Sequence, residues 1–176
     1  VKQLEKYGID IDYIPVTPSG IIDIDAALSL LKPHTKLVSV MFANNEVGTL
    51  QPISELCTRV KACSSALIHT DAIQALGKVP INIVELGVDF LTIASHKVYA
   101  PKGVGAMFVK NDKSLVPLIL GSSHERKLRA GTENVAGIAA FAKALSIISP
   151  NDIHATSLPL ISALRSKLIA LGGIVH

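Results

Sequence analysis

Residues 69–105 read HTDAIQALGKVPINIVELGVDFLTIASHKVYAPKGVG, and this stretch decides the fold. Two short apolar runs, 66–70 and 89–94, end at its polar positions. Neither run alternates strictly between apolar and polar residues, which is typical of buried parallel strands. Together with the helical patterns between the runs, they predict an α/β fold: a mostly parallel sheet with flanking helices and a hairpin-like return into residues 105–110.

Four polar side chains follow these two strands: Asp71, Gln74, His96 and Lys97. In an open α/β sheet, ligands bind beyond the carboxyl ends of the strands, so these side chains are expected at one ligand-binding edge. A lysine at the mouth of an apolar pocket is a Schiff-base candidate. A carboxylate opposite it suits pyridoxal phosphate, whose ring nitrogen must stay protonated. From the residues alone, a solvated surface lysine and an aspartate that caps a turn remain open alternatives.

Three separate motifs occur in the order found in a known family. They are FANNEVGTLQPI at 42–53, the stretch quoted above, and HERKLRAGTENVAGIAA at 124–140. Together they resemble the cysteine desulfurase/selenocysteine lyase family, fold-type I pyridoxal-phosphate enzymes of the class V aminotransferase group. The resemblance implies that residues 1–150 are the C-terminal part of the cofactor-binding large domain. Residues 151–176 would then begin the small C-terminal domain.

The resemblance also implies roles for the polar residues at the sheet edge. Lys97 would carry pyridoxal 5'-phosphate and act as the catalytic base, and Asp71 would pair with the ring nitrogen. Gln74 and Asn45 would contact the phenolic oxygen of the ring. His96 would lie beside the cofactor phosphate.

Three further site residues follow from the resemblance. Relatives often have a phosphate-binding serine three residues before the lysine, where this chain has Ala94, so Ser95 or His96 is expected to bind the phosphate instead. His124 matches a histidine near the substrate. Thr132 matches a residue that reaches the phosphate in a neighbouring subunit, which implies a homodimer; without the resemblance, it would be interpreted as a helix cap.

The function that the resemblance implies is removal of sulfur or selenium from cysteine or selenocysteine, leaving alanine. Sulfur or selenium acceptor proteins are the implied partners, and iron-sulfur cluster assembly the implied process. The nucleophilic cysteine of the family would lie beyond residue 176, so we expect this chain to be a piece of a longer enzyme and inactive, or nearly so, alone. Another class V aminotransferase and a non-catalytic remnant are the alternatives.

Composition excludes several other classes of protein. The 176 residues are 49% hydrophobic, enough for one sizeable core, and a net charge of +3 is too weak to indicate nucleic-acid binding. No apolar run approaches the length of a membrane span. Two cysteines do not make a disulfide framework and fit a reducing compartment, so we expect a cytoplasmic protein, with an organellar location open.

The cysteines and histidines of this chain predict neither a sulfur acceptor nor a metal site. Cys57 falls on the apolar face of a helix predicted from Pro52 to about residue 62, and Cys63 lies near its end. Their spacing matches no CxxC pattern, so neither is expected to accept sulfur. His69 and Asp71 lack a third ligand, and HERKL at 124–128 lacks the second histidine of a zinc motif, so no metal site is predicted.

Turn and cap residues predict the remaining elements. Gly8 ends an N-terminal helix, and alternation predicts a strand over 9–16 that a turn at 17–20 ends. Asp23 is the predicted N-cap of a helix over 24–32. Other elements are a strand over 37–42, a helical turn at 84–87, a helix to about residue 148 and a leucine-rich helix after residue 150.

Overall fold

The computed structural model describes residues 1–111 and 115–174. Within them the chain forms one four-stranded sheet in the order β1-β2-β3-β4. The strands are β1 (Leu37–Met41), β2 (Leu67–Asp71), β3 (Phe90–Ala94) and β4 (Gly105–Val109). The first three run parallel and β4 returns antiparallel to β3. This confirms the predicted α/β class and the mostly parallel sheet.

Five α-helices are found in the described part of the chain: α1 (Ile24–Ser29), α2 (Ile53–Cys63), α3 (Ile83–Leu86), α4 (Val135–Ile147) and α5 (Pro150–Ala170). Short 3-10 helices cover Lys2–Tyr7, Ser95–Lys97 and Glu125–Lys127. Helix α2 links β1 to β2, and α3 links β2 to β3, so parallel neighbours are joined by helical crossovers. These crossovers bring the ends of β1, β2 and β3 to one edge.

The core lies on one face of the sheet. Its side chains come from α2 and the inward positions of the strands, and α2 contributes the predicted apolar face of Ile53, Leu56, Cys57 and Val60, each 3% exposed or less. In β1 the valines at 38 and 40 are buried, whereas Leu37 and Ser39 are exposed. The opposite face of the sheet carries Ser39 of β1 and His69 and Asp71 of β2.

Side-chain caps fix where the helices begin. Asp23 accepts a hydrogen bond from the backbone N–H of Ala26 at 2.9 Å, as predicted, although α1 ends at Ser29 and is shorter than expected. Asn134 caps α4 through the N–H of Gly137, and Ser149 caps α5. Pro52 precedes α2 as its N-cap residue instead of being the first helical residue.

The predicted strand over 9–16 is wrong. This segment makes a single bridge between Val16 and Ile22, which closes the turn at 17–20. Most of its side chains are exposed, including Asp10 and Asp12. Alternation describes a chain with two different faces, but a strand also needs a hydrogen-bonding partner, and β1 pairs only with β2.

Helix α5 buries none of its side chains, and its leucines at 160, 164, 168 and 171 are all exposed. The helix itself was predicted, as was its end before Gly172 and Gly173. A domain boundary near residue 150 stays a prediction. Among the described residues, no helix has both the length and the apolar character needed to cross a membrane.

Candidate active site

The carboxyl ends of three adjacent parallel strands form the candidate site. Asp71 is the last residue of β2, and it pairs in register with Met41 of β1 and Thr92 of β3. Asn45 follows β1, Gln74 follows β2, and Ser95–Lys97 follow β3 directly. The residues predicted to follow these three strands therefore lie at one edge of the sheet, where α/β proteins bind ligands.

Asp71 is half-buried and held by its own backbone. Its Oδ1 accepts a hydrogen bond from the N–H of Ile73 at 2.9 Å, and its carbonyl oxygen accepts one from Phe42 at 2.7 Å. Its Oδ2 makes no hydrogen bond with any described residue. With Oδ1 held by the backbone and Oδ2 free, the carboxylate can accept a hydrogen bond from a cationic donor.

The turn at 95–104 positions Lys97. Its two ends meet where the N–H of Ser95 donates to the carbonyl oxygen of Val104 at 3.1 Å. The carbonyl oxygen of Ser95 accepts hydrogen bonds from Val98 at 3.0 Å and Ala100 at 3.2 Å. Val98 is 1% exposed and anchors the turn, while Lys97 stays exposed.

The hydroxyl group of Ser95 is used inside the turn. Ser95 is fully buried, and its hydroxyl donates to the carbonyl oxygen of Val104 at 2.8 Å and also contacts that of Pro101. His96 is exposed and is therefore the more accessible of the two phosphate candidates, and the contact of either residue with a phosphate stays a prediction. Lys97 is exposed and does not line the apolar cavity that Val98 and Tyr99 form with the end of α4 and the start of α5.

Lys78 is a further residue near the site, and the sequence did not predict it. It is hydrogen-bonded to Gln74 and lies close enough to Lys97 to be affected by its charge. Its ammonium donates to the carbonyl oxygen of Gln74 at 2.9 Å and to Oε1 of Gln74 at 3.3 Å. Burial, followed by the nearby charge of Lys97, lowers the pKa of Lys78. An ammonium can only donate, so it selects the oxygen of the Gln74 amide and leaves the NH₂ group for another acceptor. The four-residue spacing from Gln74 was the available signal.

His69 lies on the polar face of the sheet, two residues before Asp71. Its Nδ1 is 2.7 Å from Oγ of Ser39, and its Nε2 is 2.6 Å from Oγ1 of Thr92. Burial lowers the pKa of His69, and the charge of Asp71 opposes that effect. Both ring nitrogens are engaged by hydroxyl groups, so His69 has no lone pair left for a metal shared with Asp71. No group of three or more potential metal ligands occurs among the residues that the structure describes.

The two asparagines after β1 differ in their contacts. Oδ1 of Asn44 accepts hydrogen bonds from the N–H groups of Glu46 at 2.8 Å and Val47 at 3.0 Å. Asn44 is thus a turn residue. Asn45 is exposed, and its amide makes no hydrogen bond within 1–111 or 115–174, which leaves it available to a ligand.

The two candidate site residues of the third motif have separate surroundings. Nε2 of His124 is 3.9 Å from Oε2 of Glu133, and its Nδ1 contacts Oγ of Ser122. Thr132 is exposed just before the cap of α4. No hydrogen bond or ion pair in the described parts of the chain joins His124 or Thr132 to Asp71 or Lys97.

The residues at the sheet edge fit pyridoxal phosphate. Lys97 offers an exposed amine, Asp71 a carboxylate with one open oxygen, and Gln74 and Asn45 offer amide donors. Lys78 and Lys97 supply positive charge for a phosphate. This combination defines a site for a cofactor that has an aldehyde, a basic ring nitrogen and an anionic tail.

Comparison with known proteins gives the same class. The aminotransferase class-V family matches residues 1–175, so the chain belongs to this family of pyridoxal-phosphate-dependent enzymes. Cysteine desulfurase IscS of Dictyoglomus turgidum is 47% identical over 144 residues, which are 82% of this chain and 36% of that protein. Cysteine desulfurase 2 of Trichormus variabilis is 42% identical over 167 residues, 95% of this chain and 41% of that protein.

Solved structures agree with the sequence relatives. The NifS-like protein of Rickettsia africae superposes with a TM-score of 0.85 at 34% identity, covering 96% of this chain and 48% of that one. The structure of SspA in complex with cysteine gives a TM-score of 0.80 at 34% identity, covering 84% of this chain and 43% of the other. The chain therefore spans less than half the length of these relatives.

Proposed function

We propose that this chain is the cofactor-binding part of a pyridoxal-phosphate-dependent cysteine desulfurase, an enzyme that takes sulfur from cysteine and leaves alanine. The observation that carries the proposal is the convergence of Asp71, Gln74 and Lys97 at the ends of adjacent parallel strands. The cysteine desulfurases among its relatives support the choice of reaction. Selenocysteine, with the same amino-acid part, is proposed as a second substrate.

Each residue at the edge has a proposed task. Lys97 holds the cofactor through its Nζ, and Asp71 holds the proton on the ring nitrogen. Gln74 and Asn45 donate to the phenolic oxygen, and the exposed His96 faces the phosphate. When bound, pyridoxal phosphate supplies an electron sink for the negative charge that develops at the substrate Cα.

Lys97 would have a second task as a general base. Its Nζ, as a free amine, would remove the proton from the substrate Cα and return a proton later. Asp71 would assist, because a carboxylate beside the ring nitrogen favours its protonated form. His124 is proposed to lie near the substrate, which the resemblance of HERKLRAGTEN supports.

The sulfur acceptor is proposed to be a cysteine outside these 176 residues. Burial raises the pKa of Cys57 to about 11, so its thiol is a poor nucleophile. Cys63 ends α2 just before β2 begins, which places it near the amino ends of the strands and away from the site edge. Sulfur-accepting proteins, in iron-sulfur cluster assembly, are the proposed partners downstream.

The decisive experiment is an absorbance spectrum of the full-length enzyme that contains this chain, with pyridoxal phosphate, beside its Lys97→Ala variant. A visible band of covalently held cofactor in the parent, absent in the variant, supports the assignment. Alanine and persulfide formed from cysteine would then identify desulfuration. Formation of 3-mercaptopyruvate, the keto acid left when cysteine gives up its amino group and keeps its sulfur, would indicate an aminotransferase instead, and no band in either protein would contradict the proposal.

We also propose that the enzyme is a homodimer in which Thr132 contacts the phosphate in the partner's site. The exposed Thr132 side chain, without a hydrogen bond to the described residues, supports this role. Co-expression of a Lys97→Ala chain with a Thr132→Val chain provides a test. Shared sites predict recovered activity in the mixed dimer, because one of its two sites keeps both residues; no recovery would contradict the proposal.

The isolated 176-residue chain is proposed to be inactive or nearly so. The matched region is only 36% and 41% of the length of two cysteine desulfurase relatives, which supports this expectation. The measurement is alanine release from cysteine by the purified chain. Turnover at the rate of a full-length relative would show that the proposal is wrong.

A further inference from the structure

On the polar face of the sheet, Ser39, His69 and Thr92 form a hydrogen-bonded row close to Asp71. The imidazole of His69 lies between the hydroxyl groups of Ser39, at 2.7 Å, and Thr92, at 2.6 Å. Ser39 is the register partner of His69 on β1, and Thr92 is the register partner of Asp71 on β3. Alternate residues of a strand point to the same face, so His69 and Asp71, two residues apart on β2, lie on the same face of the sheet.

This arrangement satisfies a neutral imidazole. A neutral ring has one N–H donor and one acceptor nitrogen, and a hydroxyl group can serve either. The flanking strands thus complete both hydrogen bonds of His69 without supplying a carboxylate. Asp71, on the same strand, is the charged group that acts on it, and the effect of burial is larger than that of Asp71 in setting the pKa of His69.

We propose that His69 is a positioning residue: held neutral between Ser39 and Thr92, it leaves the negative charge of Asp71 to the ring nitrogen of the cofactor. The inference rests on the pyridoxal-phosphate site proposed above. A protonated imidazole at this position would attract the same carboxylate and repel a protonated ring nitrogen. Two hydroxyl groups hold the ring in place and add no charge.

The charge of residue 69 is therefore the variable to change. The intact protein is reconstituted with pyridoxal phosphate carrying ¹⁵N at the ring nitrogen, whose chemical shift reports its protonation. We expect the ring nitrogen of the parent to stay protonated from about pH 6 to about pH 9. His69→Asn, a neutral hydrogen-bonding residue, should behave like the parent. His69→Lys should lower the affinity of the ring nitrogen for a proton about tenfold or more, equivalent to at least about one pKa unit.

A second measurement needs no substitution at residue 69. With ¹⁵N-labelled histidine, the signal of His69 in the cofactor-loaded parent should be that of a neutral imidazole at pH 7, and it should remain neutral at about pH 6. Thr92→Val, which removes one hydroxyl and keeps the shape, should change the tautomer signal of His69. A charged His69 at pH 7 would overturn the inference even if His69→Lys failed to fold.

The results separate this inference from the proposed function. If the parent binds no cofactor, the proposed site is wrong. If the parent binds the cofactor but His69→Lys keeps the same proton affinity at the ring nitrogen, the site stands and the role of His69 is wrong. A purely structural His69 would change the stability of both variants equally and leave the ¹⁵N shift of the ring unchanged.

Discussion

The hydroxyl group of Ser95 is buried against the carbonyl groups of Pro101 and Val104, and its removal takes away the one hydroxyl hydrogen that they share. We expect Ser95→Ala to lower the free energy of unfolding by about 1–3 kcal/mol, the cost of leaving a buried polar group unsatisfied. Urea denaturation would measure it. Ser123→Ala is the control, because Ser123 is exposed; equal midpoints for the two variants would contradict the role given to Ser95.

The two cysteines should differ widely in reactivity. With a pKa of about 11, only about one Cys57 thiol in a thousand is ionised at pH 8, and the side chain is also buried. Cys63 is exposed at the end of α2. A thiol reagent should therefore modify one cysteine quickly and the second only after unfolding. Mass spectrometry of the fast product should find the label on Cys63, and a label on Cys57 would show that α2 opens in the folded state.

Individual residues also show what sequence can and cannot specify. The positions of Asp71 and Lys97 at strand ends could be predicted, because the break from an apolar run to a polar residue marks the end of a strand. The role of Ser95 could not, because its direction depends on residues 101–104 folding back over it. Lys78 was missed because a lysine is interpreted as a solvated surface residue unless its partner, Gln74, is known to belong to a site.

At the level of elements, Gly77 is a tight junction between the segment after β2 and the end of α4. It has φ +75°, and an added Cβ would collide with the side chain of Ile148 and approach that of Val98. Gly48 has nearly the same backbone conformation, φ +74°, but open space around it. We expect Gly48→Ala to cost about 1–2 kcal/mol for the left-handed backbone, and Gly77→Ala to cost about 1–3 kcal/mol more for overpacking. Equal losses in thermal unfolding would mean that Ile148 moves aside freely.

The elements differ in how well their sequences predicted them. The apolar face of α2 was correct because a helix makes its own hydrogen bonds, so periodicity alone fixes which side is buried. The strand over 9–16 was wrong because a strand depends on a partner that its own sequence does not specify. The helix after residue 150 was predicted from its leucines, but those side chains are exposed within the described structure.

For the whole molecule, His69 should make stability depend on pH. Burial lowers its pKa in the folded state below the ordinary value of 6.5, so the unfolded chain binds a proton more readily. The contribution of His69 is therefore fully present above about pH 6.5 and is lost as the pH falls toward the lower, folded-state pKa. Free energies of unfolding measured by urea from about pH 5 to about pH 8 should fall toward acid in the parent, and fall less in His69→Asn. Identical profiles would show that folding does not change the pKa of His69.

The succession of strands and helices along the chain, and the residues at the strand ends, could be predicted from the sequence, because each apolar run and the residue that ends it are local features. What encloses the site could not. Lys97 is exposed although a pocket was expected around it, since enclosure depends on surfaces distant in sequence. The hydrogen bonds of His69 could not be predicted either, because its hydroxyl partners come from two other strands.

The turn that carries Lys97 is closed at both ends. Ala94 pairs with Gly105 across β3 and β4, and Ser95 bonds to Val104 one position further in. Gly105 permits this closure, because a Cβ there would be 2.9 Å from the carbonyl oxygen of Ile93. The loop is thus preorganised: its conformational entropy is lost during folding and not at the moment of cofactor binding. The amides of Ser95, Val98 and Ala100 should therefore exchange slowly with solvent even in the cofactor-free enzyme.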